Sequence, residues 1–257
     1  MLTFNLVSIL TELIYTLLQK IRLFQYISKL TIVFLYYIPI PLIFTPDGNS
    51  FCPAFGTIDE IYSKKVYDRV FYPRKGWVVV DIGATFGIYA LRASKMVGKK
   101  GIVIAIEPEP INFKILKHHI RINKVTNIVH VNSALGDRAD IVKLYIRGHL
   151  NHTIKQPRYE SKYIMVPMLT FDHVMRLLKI DEVDLVKIDV EGAEIDVIRG
   201  IKKTFVKRIT MEYHGKENAR QILNLLKSRG YKVVTRKRVD SNGDLGYIYA
   251  FRACQND

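Results

Sequence analysis

The chain has 257 residues, of which 49% are hydrophobic and 25% are charged, and its net charge is +15. This length and composition exclude a mainly disordered or collagen-like chain, and they allow one large domain with an appendage. The only two cysteines, Cys52 and Cys254, lie near opposite ends of the chain. They exclude a disulfide framework and cannot form a zinc site by themselves, which favours a reducing compartment, so we expect a cytoplasmic protein.

The excess of positive charge favours anionic neighbours, which include nucleic acid, an acidic membrane surface or an acidic substrate. It does not choose among them, and a solvated lysine-rich surface explains the charge equally well. The lysines and arginines are scattered in small clusters, and no long basic run or aromatic-interleaved RNA-binding motif occurs.

The first part of the chain, residues 1–45, differs from the rest because it is strongly apolar. A narrow polar stripe with helical spacing runs along it, formed by Asn5, Ser8, Glu12, Thr16 and Gln19. The uncharged run at 30–44 is short for a membrane span and contains two prolines. The segment is therefore either a helix lying on an anionic membrane, which would attach the protein peripherally through residues 1–44, or a docking helix. The remaining residues, 46–257, form the predicted main domain.

In the main domain, short β-branched runs alternate with amphipathic stretches. Buried strands are predicted at 77–80, 102–106, 128–131, 185–188 and 209–212, and helices at 88–97, 111–123, 171–178, 194–200 and 218–228. An added pair of strands is predicted at 141–146 and 163–166, and a C-terminal antiparallel hairpin at 231–235 and 247–252. This alternation predicts an α/β fold with a mostly parallel, seven-stranded sheet covered on both faces.

The loop after the first predicted strand has the spacing Asp81-x-Gly83-x-x-x-Gly87. It lacks the glycine spacing of a dinucleotide site, and Asp81 would repel a pyrophosphate. An acidic loop suits a cationic ligand such as S-adenosylmethionine (SAM), and Gly83 would let the backbone approach that ligand closely. Glu107, at the end of the second strand, is placed to accept hydrogen bonds from ribose hydroxyls. A plain strand-turn-helix is the alternative interpretation.

Ionisable residues are concentrated at the ends of the fourth and fifth predicted strands. Lys187, Asp189, Glu191 and Glu194 fall within eight residues, and Glu212 and His214 end the next strand. Burying these groups without partners would be costly, and the ends of parallel strands can be neighbours. These groups can therefore be neighbours at one edge of the sheet.

Four stretches together resemble the FkbM-type SAM-dependent methyltransferases: residues 79–87, Glu107-Pro108, residues 134–137 and residues 187–194. The resemblance covers about residues 55–235, and the last of these stretches is its most specific part. Thr85-Phe86 departs from the Asn-Ile or Asn-Val that the family often has, although threonine still offers a hydroxyl. The resemblance implies a Rossmann-like class I methyltransferase that commonly acts on oxygen, with a hydroxyl on a sugar, glycan, lipid or secondary metabolite as its acceptor.

The resemblance also implies roles for individual residues. In the cofactor-binding loop, Asp81, Gly83 and Gly87 would lie against the methionine part of SAM, together with Ala84 and Thr85. Glu107 would hold the ribose, while Ser133 and Ala134 would border the adenine. Asp189 would face the cofactor or the acceptor from the end of the fourth strand.

A hydroxyl acceptor needs a base to take its proton. His214 is the first candidate because an unperturbed imidazole titrates near neutrality, and Asp189 and Glu191 are the alternatives. Asp189, Glu191, Glu212 and His214 are also residue types that hold Mg²⁺ or Mn²⁺. Their spacing is not diagnostic, so we expect SAM as the cofactor and do not predict a metal.

The expected partners are a hydroxylated small molecule or glycan and an anionic membrane surface, whereas nucleic acid is not expected. Two other functions stay open on the sequence. The basic surface allows an RNA methyltransferase, and the apolar segment allows a membrane-associated protein that binds SAM without catalysis.

Overall fold

A computed structural model describes residues 43–45, 47, 49–51, 55–146, 152–156, 161–238 and 244–252. The predicted N-terminal helix lies outside the described residues, so its membrane-bound and docked forms both stay predictions. Among the described residues, no helix is both long enough and apolar enough to cross a membrane.

A seven-stranded sheet forms the centre of the domain, as predicted. Its strands are β1 (Val78–Ile82), β2 (Ile102–Ile106), β3 (Ile128–Val131), β4 (Leu185–Ile188), β5 (Arg208–His214), β6 (Lys232–Lys237) and β7 (Leu245–Phe251). Their order across the sheet is β6-β7-β5-β4-β1-β2-β3. Strands β1 to β5 are parallel, and β7 is antiparallel to both β5 and β6.

The hairpin of β6 and β7 is confirmed, but the insertion of β7 between β5 and β6 was not predicted. Burial explains this order. Residues 246–250 of β7 are all buried, which fits an inner strand with neighbours on both sides. Strand β6 is mostly exposed and carries Lys232, Arg236 and Lys237, which fits an edge that must resist pairing with other chains.

Within the described residues, five helices cover the two faces of the sheet: α1 (Ile88–Val97), α2 (Pro110–Ile122), α3 (Phe171–Leu177), α4 (Glu194–Arg199) and α5 (Lys216–Ser228). Val79 of β1 belongs to the core that includes Leu91 of α1 and Leu116 of α2. The next residue, Val80, belongs to the core on the other face, which α3, α4 and α5 cover. Because successive residues of a strand point to opposite faces, an unbroken apolar run is buried on both.

Smaller elements surround this sheet. A three-stranded sheet is formed by Ala134–Gly136, Asp140–Tyr145 and Tyr163–Thr170. The sequence predicted only the last two of these strands. Two further pairs are Ile43–Phe44 with Ser50–Phe51, and Glu182–Val183 with Phe205–Val206. A short helix (Phe55–Ile58), a π-helical turn (Asp59–Ser63) and a 3₁₀ turn (Val66–Asp68) precede β1.

Two glycines fix the loop between β1 and α1. Gly83 has a φ of +74°, and a Cβ atom on it would lie 1.8 Å from the carbonyl oxygen of Asp189. Gly87 has a φ of +79°, and a Cβ atom there would lie 2.2 Å from Leu116 Cδ1. Gly83 therefore lets the loop lie close to the backbone that follows β4. Gly87 lets α1 pack closely against α2.

We expect Gly83→Ala to destabilise the domain much more than Gly76→Ala, its matched control. Gly76 has a φ of +81° but no atom within 4 Å of an added Cβ. The control should therefore lose only about 1 to 2 kcal/mol for the left-handed backbone. Gly83→Ala should cost a further 1 to 3 kcal/mol, roughly, because the Cβ must displace backbone. Urea unfolding of both variants measures the difference, and equal losses would contradict the packing described here.

Candidate functional site

A cleft opens at the carboxyl edge of the sheet, where β1, β2 and β4 end. Seven of the residues predicted for the site line it: Gly83, Thr85, Glu107, Ser133, Ala134, Asp189 and Glu191. Four others are not among its described lining residues: Asp81, Ala84, Gly87 and His214. The cleft is therefore formed at the strand ends that the sequence predicted, but some of the predicted site residues do not line it.

Asp81 lies beneath the loop rather than in the cleft. Its side chain is completely buried, and Oδ1 is 3.1 Å from the ammonium nitrogen of Lys187, which is itself buried. The same Nζ atom donates a hydrogen bond of 2.9 Å to the carbonyl oxygen of Gly83. Asp81 therefore supports the loop through Lys187. Its expected contact with the methionine part of a ligand stays a prediction.

The rest of the loop is fixed to β2. The backbone N–H groups of Gly83 and Ala84 both donate to the carbonyl oxygen of Ile106, at 3.0 Å. Thr85 has a φ of +51°, an unusual conformation for a β-branched residue. In this conformation its backbone N–H donates to Glu107 Oε2 at 2.8 Å. Thr85 thus holds Glu107 through its backbone. Its hydroxyl lies 3.4 Å from the carbonyl oxygen of Gly83, and the expected role of that hydroxyl toward a ligand stays a prediction.

Glu107 is the central acid of the cleft. It is buried, and its Oε1 accepts a hydrogen bond from the backbone N–H of Glu109, while Oε2 accepts the one from Thr85. Burial raises the pKa of Glu107 to about 7, although these two N–H groups favour the charged form. Because a carboxylate has more lone pairs than these two bonds use, Glu107 can still accept hydrogen bonds from a ligand.

Small residues line the cleft beside Glu107. Ser133 is buried, and its hydroxyl lies within hydrogen-bond distance of the carbonyl oxygens of Ala134 and Pro167. Ala134 begins the first strand of the three-stranded sheet. With its hydroxyl directed at the backbone, Ser133 presents little bulk to the cleft, which leaves room for a flat ring.

His214 lies between two carboxylates. Nδ1 is 2.7 Å from Oε1 of Glu194, which is completely buried, and Nε2 is 3.3 Å from Oε2 of Glu191. Burial opposes protonation, but the hydrogen bond to Glu194 and the charges of Glu194, Glu191 and Asp189 outweigh it and raise the pKa of His214 to about 9. The imidazole is therefore mostly charged at neutral pH, unlike the unperturbed histidine that the sequence suggested.

Tyr67 is a site residue that sequence reasoning missed. The hydroxyl of Tyr67 donates a hydrogen bond of 2.8 Å to Oδ2 of Asp189, and this oxygen atom also lies 3.7 Å from Lys187 Nζ. The backbone carbonyl oxygen of Tyr67 accepts a hydrogen bond from the hydroxyl of Thr210 in β5, which fixes the 3₁₀ turn to the sheet. The turn precedes the first strand of the sheet and lies among the charged residues Lys65, Asp68 and Arg69, so no motif in the sequence drew attention to Tyr67.

Asp189, Glu212 and His214 are close enough to be considered together as metal ligands, since their ligand atoms lie within 4.8 Å of one another. Each is already held by other groups. Glu212 pairs with Arg238 at 3.2 Å, Asp189 accepts a hydrogen bond from Tyr67, and His214 lies between Glu191 and Glu194. Burial, followed by the charge of Asp189, raises the pKa of Glu212 to about 7. In this arrangement Lys187 lies beside Asp189, and Arg238 lies beside Glu212, so each of these carboxylates has a cationic neighbour.

This fold and cleft define a Rossmann-like methyltransferase. The chain belongs to the FkbM family of SAM-dependent methyltransferases: the Methyltransferase FkbM domain matches residues 81–233. The resemblance noted in the sequence is thereby confirmed.

Individual relatives are distant. Methyltransferase 1 of Beauveria bassiana is 23% identical over 203 residues, which are 69% of this chain and 81% of that protein. The structure of an FkbM methyltransferase from Methylobacillus flagellatus matches with a TM-score of 0.53 and 18% identity, over 72% of this chain and 47% of that one. Aeropyrum pernix fibrillarin, solved with bound SAM, matches with a TM-score of 0.50 and 17% identity, over 74% of each chain. At these identities the two solved structures support the fold alone.

We expect Glu194→Gln to lower the pKa of His214 from about 9 by at least about one pH unit, because the imidazolium loses its nearest negative charge. The control is Glu217→Gln, which removes a carboxylate from the exposed first turn of α5. An NMR titration of the histidine ring signals measures this, with His214→Asn to assign the signal. An ordinary pKa for His214 in the unaltered protein would contradict the pairing.

Proposed function

We propose that the protein is a SAM-dependent O-methyltransferase that acts on a hydroxyl of an organic acceptor such as a sugar, glycan, lipid or secondary metabolite. The observation that carries the proposal is the convergence of Glu107, the loop after β1 and Asp189 on one cleft, in a chain of the FkbM family. The acceptor class follows from the family resemblance, and the geometry of the acidic groups supports it.

The residues of the cleft suit SAM. Glu107 is held by two backbone N–H groups and keeps lone pairs for the ribose hydroxyls. Ser133 and Ala134 leave space for the adenine ring, and the carboxylates of Asp189 and Glu191 complement a cation. When bound, SAM supplies an electrophilic methyl group together with its own leaving group. The chain has only to position the acceptor, exclude water and receive a proton.

The acidic groups after β4 offer a route for the acceptor's proton. Glu191 lines the cleft, and behind it lies Nε2 of His214, whose Nδ1 is held by Glu194. We assign proton acceptance to this pair, with the hydroxyl proton passing by way of Glu191 to neutral His214. Asp189, fixed by Tyr67 and Lys187, would orient the acceptor hydroxyl.

The first experiment is a calorimetric titration of the full chain with SAM, repeated with Mg²⁺ and with EDTA. We expect saturable binding that neither addition changes. Screening of hydroxylated acceptors, with RNA as a comparison, can then use a labelled methyl group. A folded protein that bound no SAM would overturn the proposal, and labelling of RNA alone would favour the RNA methyltransferase.

Glu107→Gln should weaken SAM binding by about tenfold or more, because one carboxylate oxygen becomes an amide that cannot accept hydrogen bonds. Glu109→Gln is the matched control, since it removes the same charge two residues away. Glu109 caps α2 through the N–H of Asn112 and does not line the cleft. Calorimetry on both variants measures the effect. An equal loss of affinity in the control would show that Glu107 is not a specific ligand-binding group.

With an acceptor in hand, kcat should rise with pH. A pKa of about 9 for His214 leaves about 1% of the imidazole neutral at pH 7, so the rate should increase almost tenfold per pH unit and level off above pH 9. His214→Asn should remove this rise. A rate that does not change between pH 6 and 9 would instead assign the base to Glu191 or Asp189, with His214 as a positioning residue.

A further inference from the structure

A second cavity, of about 290 Å³, lies at the end of the sheet opposite the cleft. It adjoins Ile209 near the start of β5 and Tyr231 just before β6, whereas the cleft follows the ends of β1, β2 and β4. Its wall includes the buried side chains of Ile198, Ile201 and Leu226. The cavity therefore has an apolar floor and is separate from the proposed cofactor site.

The rim of this cavity is cationic. Lys202, Arg229 and Arg252 line it, and none of its nine described lining residues is acidic. Both arginines are held by neutral groups. Arg229 Nη1 donates to the carbonyl oxygens of Ile198 and Ile201, each at 2.7 Å. The guanidinium of Arg252 lies 4.7 Å from the ring of Tyr231 and 4.9 Å from that of Phe205.

Among the described residues that line the cavity, no carboxylate balances the charges on this rim. The Nε atom of Arg252 is buried and has no hydrogen-bond partner within the described part of the chain. The negative charge of Asp172 favours the charged form of Arg229. The Asp172 carboxylate is already occupied, because it accepts hydrogen bonds from the backbone N–H groups of Lys202, Lys203 and Thr204 and from the Thr204 hydroxyl. Burial and the charge of Arg252 both lower the pKa of Arg229. A bound anion would offset this repulsion.

We propose that this cavity binds an organic anion, with its phosphate or carboxylate group among Lys202, Arg229 and Arg252 and its apolar part against Ile198, Ile201 and Leu226. Guanidinium groups held in a fixed orientation suit planar or tetrahedral oxyanions, because they donate two parallel hydrogen bonds. An apolar floor selects an anion that carries a hydrocarbon portion over inorganic phosphate. A lipid headgroup and a free organic phosphate share this chemistry.

Calorimetry of the full chain with inorganic phosphate and with soluble dihexanoyl phosphatidic acid tests the proposal. We expect saturable binding, tighter for the second probe. Arg252→Gln should weaken it by about tenfold or more, and Lys202→Gln by about threefold to tenfold, because each removes a charged donor. Lys203→Gln is the matched control, since Lys203 is an exposed neighbour in the same loop that does not line the cavity. Arg252→Lys keeps the charge without the paired donors and should give an intermediate loss.

Flotation with phosphatidylcholine vesicles, with and without phosphatidic acid, separates the two sources of the anion. Vesicle binding that Lys202→Gln weakens and Lys203→Gln does not would identify a lipid headgroup. Binding of the soluble probe without such an effect on vesicles would identify a free organic anion. The absence of saturable binding to both soluble probes, or an equal effect of the two lysine variants, would overturn the proposal. SAM titration of the same variants reports on the cleft independently.

Discussion

The site depends on the contacts that the buried ammonium group of Lys187 makes with its neighbours. A cation removed from water is costly unless its partners surround it, and here Asp81, Asp189 and the Gly83 carbonyl oxygen do so. Lys187 and Asp81 are paired across β4 and β1, so the register of two neighbouring strands sets the charge pair. Removing Asp81 would take away the nearer of the two carboxylates beside this buried cation. The contribution of Asp81 to ligand binding would therefore be difficult to separate from its contribution to the fold.

The loop between β1 and α1 connects the two walls of the cleft. Lys187 donates a hydrogen bond to the carbonyl oxygen of Gly83 in this loop. The backbone N–H groups of Gly83 and Ala84 donate to the Ile106 carbonyl oxygen, and the N–H of Thr85 donates to Glu107. Preorganised acids of this kind need not rearrange when a cationic ligand arrives, and this limits the entropic cost of binding. The cleft is therefore rigid on the side proposed for the cofactor.

Local signals in the sequence were enough to predict most of the central elements. The bounds of α1, β2, β3 and β4 agree with the structure because each of these segments ends abruptly at a glycine, a charged residue or an asparagine. Long-range partners could not be predicted. Lys187 lies 104 residues from Gly83, Tyr67 lies 122 residues from Asp189, and β7 finds its place beside β5 only in the folded sheet. The raised pKa of His214 could not be predicted either, because it depends on the contact between His214 and Glu194 in the folded protein.

The place of β7 has a consequence for how the domain assembles. Strand β5 carries Glu212 and His214, and it stays an open edge until β7, the last of the seven strands along the chain, pairs with it. Strand β6 is made earlier but is attached to the sheet only through β7. During synthesis, the cofactor half of the sheet can therefore form while the half that bears the histidine still waits for residues 245–251. The side of the cleft proposed for the acceptor therefore depends on the last of the seven strands along the chain.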